Sequence, residues 1–227
     1  MEPVTPSIGW GVLHLFATVG PEAEAEPIVA AVKAAESADH QVVTFAVLGH
    51  KADLGVMALG PDLWRLRRLQ SQLTAAGVTL AGSYVSLTEV SEYAKGLPAE
   101  LLDARLHPRL PPAGKPAVCF YPMSKRRAEP GRNWFTLPYE ERLRLMLGHG
   151  RVGREFSGRV LQLVTGSVGL DDWEWAVTLF GEDPVALKEC VYSMRFDEAS
   201  AVYAEFGPFV TGLVAPVEEV LAGLGVG

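Results

Sequence analysis

Apolar and polar positions in the first half of the chain predict the order strand, helix, strand, strand, helix, strand. Trp10 to Thr18 is apolar and strand-like, and Glu22 to Ser37 is alanine-rich with helical spacing. The short apolar runs "QVVTFAVLG" and "DLGVMALG" are separated by "HKA", which is typical of a hairpin-like pair. Asp62 to Ala76 carries leucines on one helical face and ends before Gly77, and "GSYVSLTEV" closes the unit.

The same order recurs in the second half, after a segment rich in proline, arginine and leucine. We interpret that segment, Gly96 to Pro116, as a linker. Beyond it, "AVCFY", "RVLQLVTGS", "DWEWAVTLF" and "FGPFVTG" are predicted strands, and Pro138 to Gly148 and Pro184 to Ser193 are predicted helices. The repetition predicts an α+β fold of two ferredoxin-like halves, residues 1–95 and 117–227, joined by 96–116.

The composition is typical of a soluble globular protein, since 48% of the 227 residues are hydrophobic and 21% are charged. The sequence shows no signal-peptide pattern and no run of about 18 apolar residues, so we expect neither export nor a membrane span. Cys119 and Cys190 lack the spacing of a metal site, which favours reduced thiols in the cytoplasm. The net charge of -7 argues against nucleic-acid binding.

Positive charge is concentrated in the middle of this acidic chain. Between residues 105 and 132 the only acid is Glu129, and the basic residues are Arg105, Arg109, Lys115, Lys125, Arg126, Arg127 and Arg132. Such a cluster is typical either of a solvated basic loop or of a site for a small polyanionic ligand. Charge alone leaves both interpretations open.

The stretch "LGHGRVGREFSG" contains the glycine spacing of a dinucleotide-binding loop, at Gly148, Gly150 and Gly153. A loop of that kind follows a strand and opens a helix, whose N-terminus binds the pyrophosphate. Here the glycines follow a predicted helix and precede a strand, so we reject a nucleotide site. His149, between two of the glycines, is expected to point toward the core. It is either a hydrogen-bonded core residue or a metal ligand.

Four stretches of the second half resemble the chlorite dismutase family. They are "CFYPMSKRR", "NWFTLPYEER", "HGRVGREFSGRVLQLVTGSVGLDDWEW" and "MRFDEASAVYAEFGPFVTG", and within the family they are most similar to the coproheme decarboxylases. The match covers most of the second half in order. "SYVSLTEVSEY" and "ARLHPRLP" provide a fainter match earlier in the chain.

The resemblance implies a subunit of two ferredoxin-like repeats that form a dimeric α+β barrel, with haem in the C-terminal half and five subunits in a ring. It also implies that iron coproporphyrin III (coproheme) is both substrate and redox cofactor. Hydrogen peroxide oxidises its iron, and two propionates lose carbon dioxide to become the vinyl groups of haem b. The expected partners are therefore coproheme and hydrogen peroxide, with a transient contact to a ferrochelatase.

The resemblance also assigns roles to individual residues. His149 matches the iron ligand, and Glu198 is our choice for the acceptor that orients its other ring nitrogen. Tyr121 matches the tyrosine whose radical takes hydrogen from the propionate, although a buried tyrosine is otherwise a packing residue. Lys125 matches a lysine near the reactive carboxylates and would otherwise be a surface charge. Met123, in the same motif, is expected to line the pocket.

Gln162 matches the position over the distal face of the iron. It alternates with Val160 and Val164, so one strand face carries an amide among apolar side chains. The alternative is an edge-strand residue that faces water. Chlorite dismutases carry arginine at this position, so the neutral amide favours decarboxylase over chlorite chemistry.

Buried carboxylates need paired donors, and coproheme carries four of them. Arg105, Arg195 and Ser200 match propionate contacts of the family, and Tyr93 is a weaker match. The basic segment would then attract a tetra-anion. Two other functions remain open at this point. One is a haem carrier or sensor, which needs His149 but not the tyrosine and lysine pair; the other is a barrel protein without haem.

Overall fold

The first half of the chain forms one ferredoxin-like sheet with helices on one face. The computed structural model describes residues 2–37, 39–94, 96–127 and 133–226, so Glu129 and Arg132 of the basic segment lie outside the described residues. The elements are β1 (Gly11–Val19), α1 (Ala25–Ala35), β2 (Gln41–Val47), β3 (Leu54–Gly60), α2 (Leu63–Ala75) and β4 (Val78–Thr88). Their order matches the prediction. The antiparallel strand order is β4-β1-β3-β2.

The segment interpreted as a linker contains a helix, α3 (Ala99–Leu106). The C-terminal end of α3 is attached to the first half. The Thr88 hydroxyl donates to the Leu106 carbonyl at 2.8 Å, and the Gln41 side chain bonds both the Pro108 carbonyl and the Leu110 amide. These bonds tie residues 106–110 to the barrel that the strands form.

The second half repeats the architecture. Its elements are β5 (Ala117–Lys125), α4 (Tyr139–Arg154), β6 (Val160–Gly166), β7 (Trp175–Gly181), α5 (Pro184–Met194), α6 (Glu198–Ala201), β8 (Ala204–Phe206), β9 (Val210–Val214) and α7 (Val217–Gly223). The end predicted at Gly148 for the helix that begins at Pro138 is wrong, because α4 continues to Arg154. The three glycines therefore lie within a helix. They do not open it, so the rejection of a nucleotide loop stands.

The two sheets join into one closed barrel. β4 pairs with β6, β2 pairs with β9, and β5 pairs with β7. Among the described residues, eight strands close in the order β4-β1-β3-β2-β9-β5-β7-β6, and β8 extends the β5 edge. Aromatic and aliphatic side chains from both halves fill the interior, including Phe16, Phe45, Phe120 and Phe180. Closure removes the exposed sheet edges that each half would otherwise present.

Helices cover the outside of the barrel. α1, α2 and α7 pack on the first half, around Ile28, Leu69 and Leu221. On the second half, α5 covers β5 and β7 through Leu187 and Cys190. No helix among the described residues has the length and apolar character needed to cross a bilayer.

Candidate functional site

The outer face of β5, β7 and β6 forms the floor of the candidate site, and the strand register defines its rows. Side chains two residues apart on a strand share a face, so Tyr121, Met123 and Lys125 lie on the same side of β5. The rows that cross the three strands are Cys119–Leu179–Gln162, Tyr121–Val177–Val164 and Met123–Trp175–Gly166. Tyr121 and Gln162 are therefore two strands and one row apart, or about 12 Å between their backbones.

Tyr121 is buried on this floor, with 8% of its surface exposed. Its ring stacks on Phe209 at 4.5 Å between centroids and meets Phe206 edge-on at 5.6 Å. Its hydroxyl makes no hydrogen bond with another described residue. Burial raises the pKa of the phenol above its ordinary value, so the oxygen keeps its hydrogen at neutral pH. The site thus holds a protonated phenol that has no hydrogen-bond partner in the part of the chain that the structure describes.

Lys125 ends β5, and its side chain is also buried, at 7% exposure. The ammonium donates to the Ala199 carbonyl at 3.0 Å and lies 4.4 Å from the centre of the Trp134 ring. Burial lowers the pKa of Lys125 to about 8, against the opposing effect of Asp197 and Glu174. An ammonium in this position stays charged at neutral pH but is poised to release its proton.

His149 lies in the C-terminal half of α4. Its side chain is 30% exposed, so it is neither a fully buried core residue nor a surface residue. Leu145, one turn earlier, is buried in a cluster with Trp134 and Tyr203, which fixes the helical face that His149 shares. The predicted inward direction is therefore partly correct. α4 packs through Leu145 on one side, and the His149 ring remains partly open to solvent.

Asp197, and not Glu198, orients His149. The Asp197 carboxylate lies 2.8 Å from Nδ1 of His149 and also accepts from the Ser200 amide at 3.2 Å and hydroxyl at 3.3 Å. Glu198 pairs instead with Arg144 on the surface, so that choice was wrong. Burial opposes ionisation of Asp197, but hydrogen bonds from His149 and Ser200 hold its pKa below the ordinary value. Nδ1 therefore carries the hydrogen, and Nε2 is the ring nitrogen that has a lone pair free to bind a metal.

Gln162 joins the floor to the histidine helix. Its side-chain amide donates to the Gly153 carbonyl at 3.0 Å. A Cβ at Gly153 would approach that amide to 3.3 Å, so glycine lets the strand and the helix come close there. On the same face of β6, Val160 is buried and Val164 is exposed, so Gln162 lies between a covered and an open part of the floor. The alternative that Gln162 faces only water does not hold.

The expected propionate contacts are distributed unevenly. Ser200 lies beside His149, with its hydroxyl 3.4 Å from Nδ1, and is occupied by Asp197. Tyr93 stacks on Tyr139 at 6.0 Å, and burial raises its pKa to about 12. Arg105 on α3 and Arg195 at the end of α5 are both exposed. Among the described residues neither guanidinium has an ion pair, so both are available to an anionic ligand.

Two open clefts flank the α5–α6 turn. One, of about 310 Å³, is lined by Leu145, Arg151, Phe196 and Asp197. The other, of about 370 Å³, lies between α5 and β9 and is lined by Cys119, Lys188, Arg195 and Phe209. The second cleft places Arg195 beside the ring that stacks on Tyr121.

Three site residues escaped the sequence interpretation. Asp197 directly precedes Glu198, the residue expected to orient His149. The sequence feature that could have identified Asp197 is that of a helix N-cap, and Asp197 is the N-cap of α6. Glu174 is buried and contacts the Lys125 backbone, but it lies 49 residues away in sequence. Trp175 lies in the Met123 row, yet alternation alone did not distinguish it from a packing residue.

Comparisons with known proteins identify a family, a relative and solved structures that this chain is similar to. The sequence profile of the chlorite dismutase family matches residues 22–215. A Natronomonas pharaonis protein, named as a candidate haem-binding protein, is 39% identical over 245 residues, which cover 93% of this chain and 40% of that protein. The chain thus spans about two fifths of that relative's length.

Two solved structures share the fold. One, described as a novel haem-binding protein from Thermus thermophilus, is 39% identical, with a TM-score of 0.85 and coverage of 99% of this chain and 100% of that one. The other is a mutant chlorite dismutase from Candidatus Nitrospira defluvii, 20% identical, with a TM-score of 0.76 and 96% coverage of both chains. These matches confirm the predicted α+β fold and the family resemblance of the motifs.

Proposed function

The chain belongs to the chlorite dismutase family, and from this premise we propose that it binds haem and acts as a coproheme decarboxylase. The reaction converts iron coproporphyrin III into haem b with hydrogen peroxide as oxidant. One observation carries the choice among the family's functions. Tyr121, a buried phenol with no hydrogen-bond partner among the described residues, shares a strand face with the buried ammonium of Lys125.

The donor set suits an iron porphyrin better than a metal ion bound by side chains alone. The described residues contain no group of three or more His, Cys, Asp or Glu side chains that could hold a metal. A porphyrin supplies four nitrogen ligands of its own, so it needs one axial protein ligand. His149 fits that need, because Asp197 holds Nδ1 at 2.8 Å and directs Nε2 outward.

Each decarboxylation removes two electrons and one proton from a propionate, and it yields carbon dioxide and a vinyl group. One molecule of hydrogen peroxide accepts the two electrons and, with two protons, becomes two molecules of water. The bound iron porphyrin supplies the redox centre at which peroxide reacts. Tyr121 transfers a hydrogen atom at its phenol oxygen: it loses one and regains one from the propionate side chain. Its raised pKa keeps the hydrogen in place before the reaction.

The charges around the floor suit a substrate with four carboxylates. Lys125 would hold a reacting carboxylate beside Tyr121 through a charge-assisted hydrogen bond. The exposed guanidinium groups of Arg105 and Arg195 would bind further propionates, and Tyr93 and Ser200 would contribute hydroxyl groups. Met123 lines the floor between Tyr121 and Lys125. Gln162, which carries no charge, favours this chemistry over chlorite chemistry.

The remaining expectations from the resemblance belong to the same proposal. They are a homopentameric ring, a cytoplasmic location and a transient contact with a ferrochelatase. Size-exclusion chromatography with light scattering tests the first of these directly.

The function is tested by mixing the purified protein with iron coproporphyrin III, recording the absorption spectrum, adding peroxide and analysing the porphyrin by mass spectrometry. We expect two successive losses of carbon dioxide, each with formation of a vinyl group. Arg195→Ala should weaken coproheme binding by about one to two decades, the value of one charge-assisted hydrogen bond. Haem b, with two fewer carboxylates, should lose less. Equal weakening for both porphyrins would assign Arg195 to the propionates that are retained.

A second function is haem transport or sensing, since the names of the two relatives that are 39% identical describe haem binding and no reaction. A carrier needs His149 and Asp197 but has no use for a hydrogen-transferring phenol. Binding of coproheme with no carbon dioxide lost after addition of peroxide would select the carrier.

A further inference from the structure

Lys125 is held by few contacts for a buried charge. Its ammonium has one hydrogen bond, to the Ala199 carbonyl, and one ring contact, with Trp134. It forms no ion pair with a carboxylate among the described residues. An isolated buried ammonium tends to lose its proton, because burial disfavours the charged form. Another part of the structure must therefore hold the Lys125 side chain in place and favour its protonated form.

Glu174, immediately before β7, contacts the segment that carries Lys125 at several points. Its carboxylate is buried, at 6% exposure, and accepts from the Lys125 backbone amide at 2.8 Å. The other carboxylate oxygen accepts from Arg127. The Glu174 backbone amide donates to the Met123 carbonyl at 3.1 Å and to the Ser124 hydroxyl at 3.2 Å. One buried residue thus binds four of the five residues from 123 to 127.

Two carboxylates and two guanidinium groups lie near Lys125, and the two carboxylates have different partners. Asp197 approaches from the α6 cap, Glu174 from the residue before β7, and Arg126 and Arg127 belong to the same segment as Lys125. Asp197 is already engaged by His149 and Ser200. Glu174 is engaged by a backbone amide and by the guanidinium of Arg127, whose side chain is 64% exposed.

We propose that Glu174 is a positioning residue for Lys125: it fixes the end of β5 so that the ammonium lies in the site, and its negative charge, together with that of Asp197, favours the protonated ammonium. The inference deepens the proposed function, on which its catalytic meaning rests. A charged Lys125 binds a propionate of the substrate, whereas a neutral one does not. Glu174 itself touches neither the phenol of Tyr121 nor the ring nitrogens of His149.

The test uses the ligand-free protein and needs no turnover. Side-chain carbon-13 NMR of protein labelled at its six lysines follows each ammonium through its titration, and Lys125→Arg identifies the Lys125 signal. In Glu174→Gln the amide oxygen still accepts from the Lys125 backbone, but the charge is gone. The Lys125 titration should therefore move to lower pH by about 1 unit. Between the two midpoints the variant is neutral while the wild type is still charged.

Two further variants keep the inference testable if Glu174→Gln does not fold. Glu174→Asp retains the charge, so its titration should return toward the wild type. Arg127→Gln removes an exposed cation that partly neutralises Glu174, so the Lys125 titration should move to higher pH. Glu182→Gln, which changes an exposed ion pair with Arg159, is the matched control and should leave Lys125 unchanged. A Lys125 titration unaffected by Glu174→Gln, or by Arg127→Gln where the first variant is unfolded, overturns the proposal.

Turnover supplies a second, separate measurement. If the protein decarboxylates coproheme, the alkaline limb of its pH–rate profile should move to lower pH in Glu174→Gln and recover in Glu174→Asp. A wild type without decarboxylase activity would refute the proposed function but leave the titration result intact. An active wild type whose profile is unchanged by Glu174→Gln would refute the positioning role alone.

Discussion

Replacement of Tyr121 by phenylalanine separates packing from chemistry, because it removes one oxygen and keeps the ring stacked on Phe209. The Tyr121 hydroxyl has no hydrogen-bond partner among the described residues, so the substitution breaks no bond there. Among the described residues, the buried polar atoms without a partner do not include this oxygen, so it keeps access to water. We therefore expect the free energy of unfolding to change by less than about 1 kcal/mol, since the substitution breaks no hydrogen bond within the protein. In a chain of this size such a change shifts Tm by less than roughly 4 °C.

Tyr84→Phe is the matched control, since Tyr84 is another buried tyrosine but lies inside the barrel. Its hydroxyl bonds Ser167 at 2.6 Å, so the same substitution should cost about 1 kcal/mol. Decarboxylation should respond in the opposite way to stability. Tyr121→Phe should lose at least about 100-fold in rate, which corresponds to about 2.7 kcal/mol in the activation barrier, while Tyr84→Phe should retain the wild-type rate.

The assays are thermal unfolding followed by circular dichroism and mass spectrometry of the porphyrin after addition of peroxide. Coproheme binding by the Tyr121 variant should remain near the wild type, as expected for a change confined to the chemical step. Formation of haem b at the normal rate in Tyr121→Phe would refute the hydrogen-transfer role. A loss of more than about 1 kcal/mol in its stability would refute the structural premise that the hydroxyl is unpartnered.

Two other predictions follow from the hydrogen bonds and from burial. Asp197→Asn should lower coproheme affinity about 10- to 100-fold and lower the iron–nitrogen stretching frequency of His149 in resonance Raman spectra. Glu198→Gln, on the surface, should change stability by less than about 1 kcal/mol. Equal losses of coproheme affinity in the two variants would return Glu198 to the role of acceptor. His14, enclosed by the barrel, has a pKa lowered by burial from 6.5 to about 3, so its neutral form stabilises the fold above pH 6.5. That stability should be lost as the pH falls from 6.5 toward 3, by about 1.4 kcal/mol per unit, and denaturant titrations of His14→Gln should show a weaker slope in this range.

Alternation and helical spacing were enough to predict the six-element order of both halves. Their strands are long, apolar and bounded by turns, so local pattern and tertiary packing favour the same structure. The errors occurred where tertiary contacts override local preference. Glycines at 148, 150 and 153 predict a helix end, yet α4 continues through them, because Asp197 and Gln162 hold its final turns from other elements.

Some residues of the candidate site could likewise be placed from the sequence, and others could not. Tyr121 and Lys125 could be placed on one face from the sequence, because a spacing of four residues on a strand repeats the same side. The histidine's partner could not be resolved between Asp197 and Glu198, since a one-residue shift at a helix start changes which side chain turns inward. Glu174 had no local signal at all, because its role depends on the pairing of β7 with β5.

The glycine content of α4 has a consequence for the local stability of the end of this helix. Each glycine within a helix is about 1 kcal/mol less favourable than alanine, so Gly148, Gly150 and Gly153 together weaken the end of α4 by roughly 3 kcal/mol. The turns that carry His149 therefore fray at a lower free energy than the barrel beneath them. Amide hydrogens of residues 150–154 should exchange with solvent by local opening, while those of β5 and β7 exchange only when the barrel unfolds.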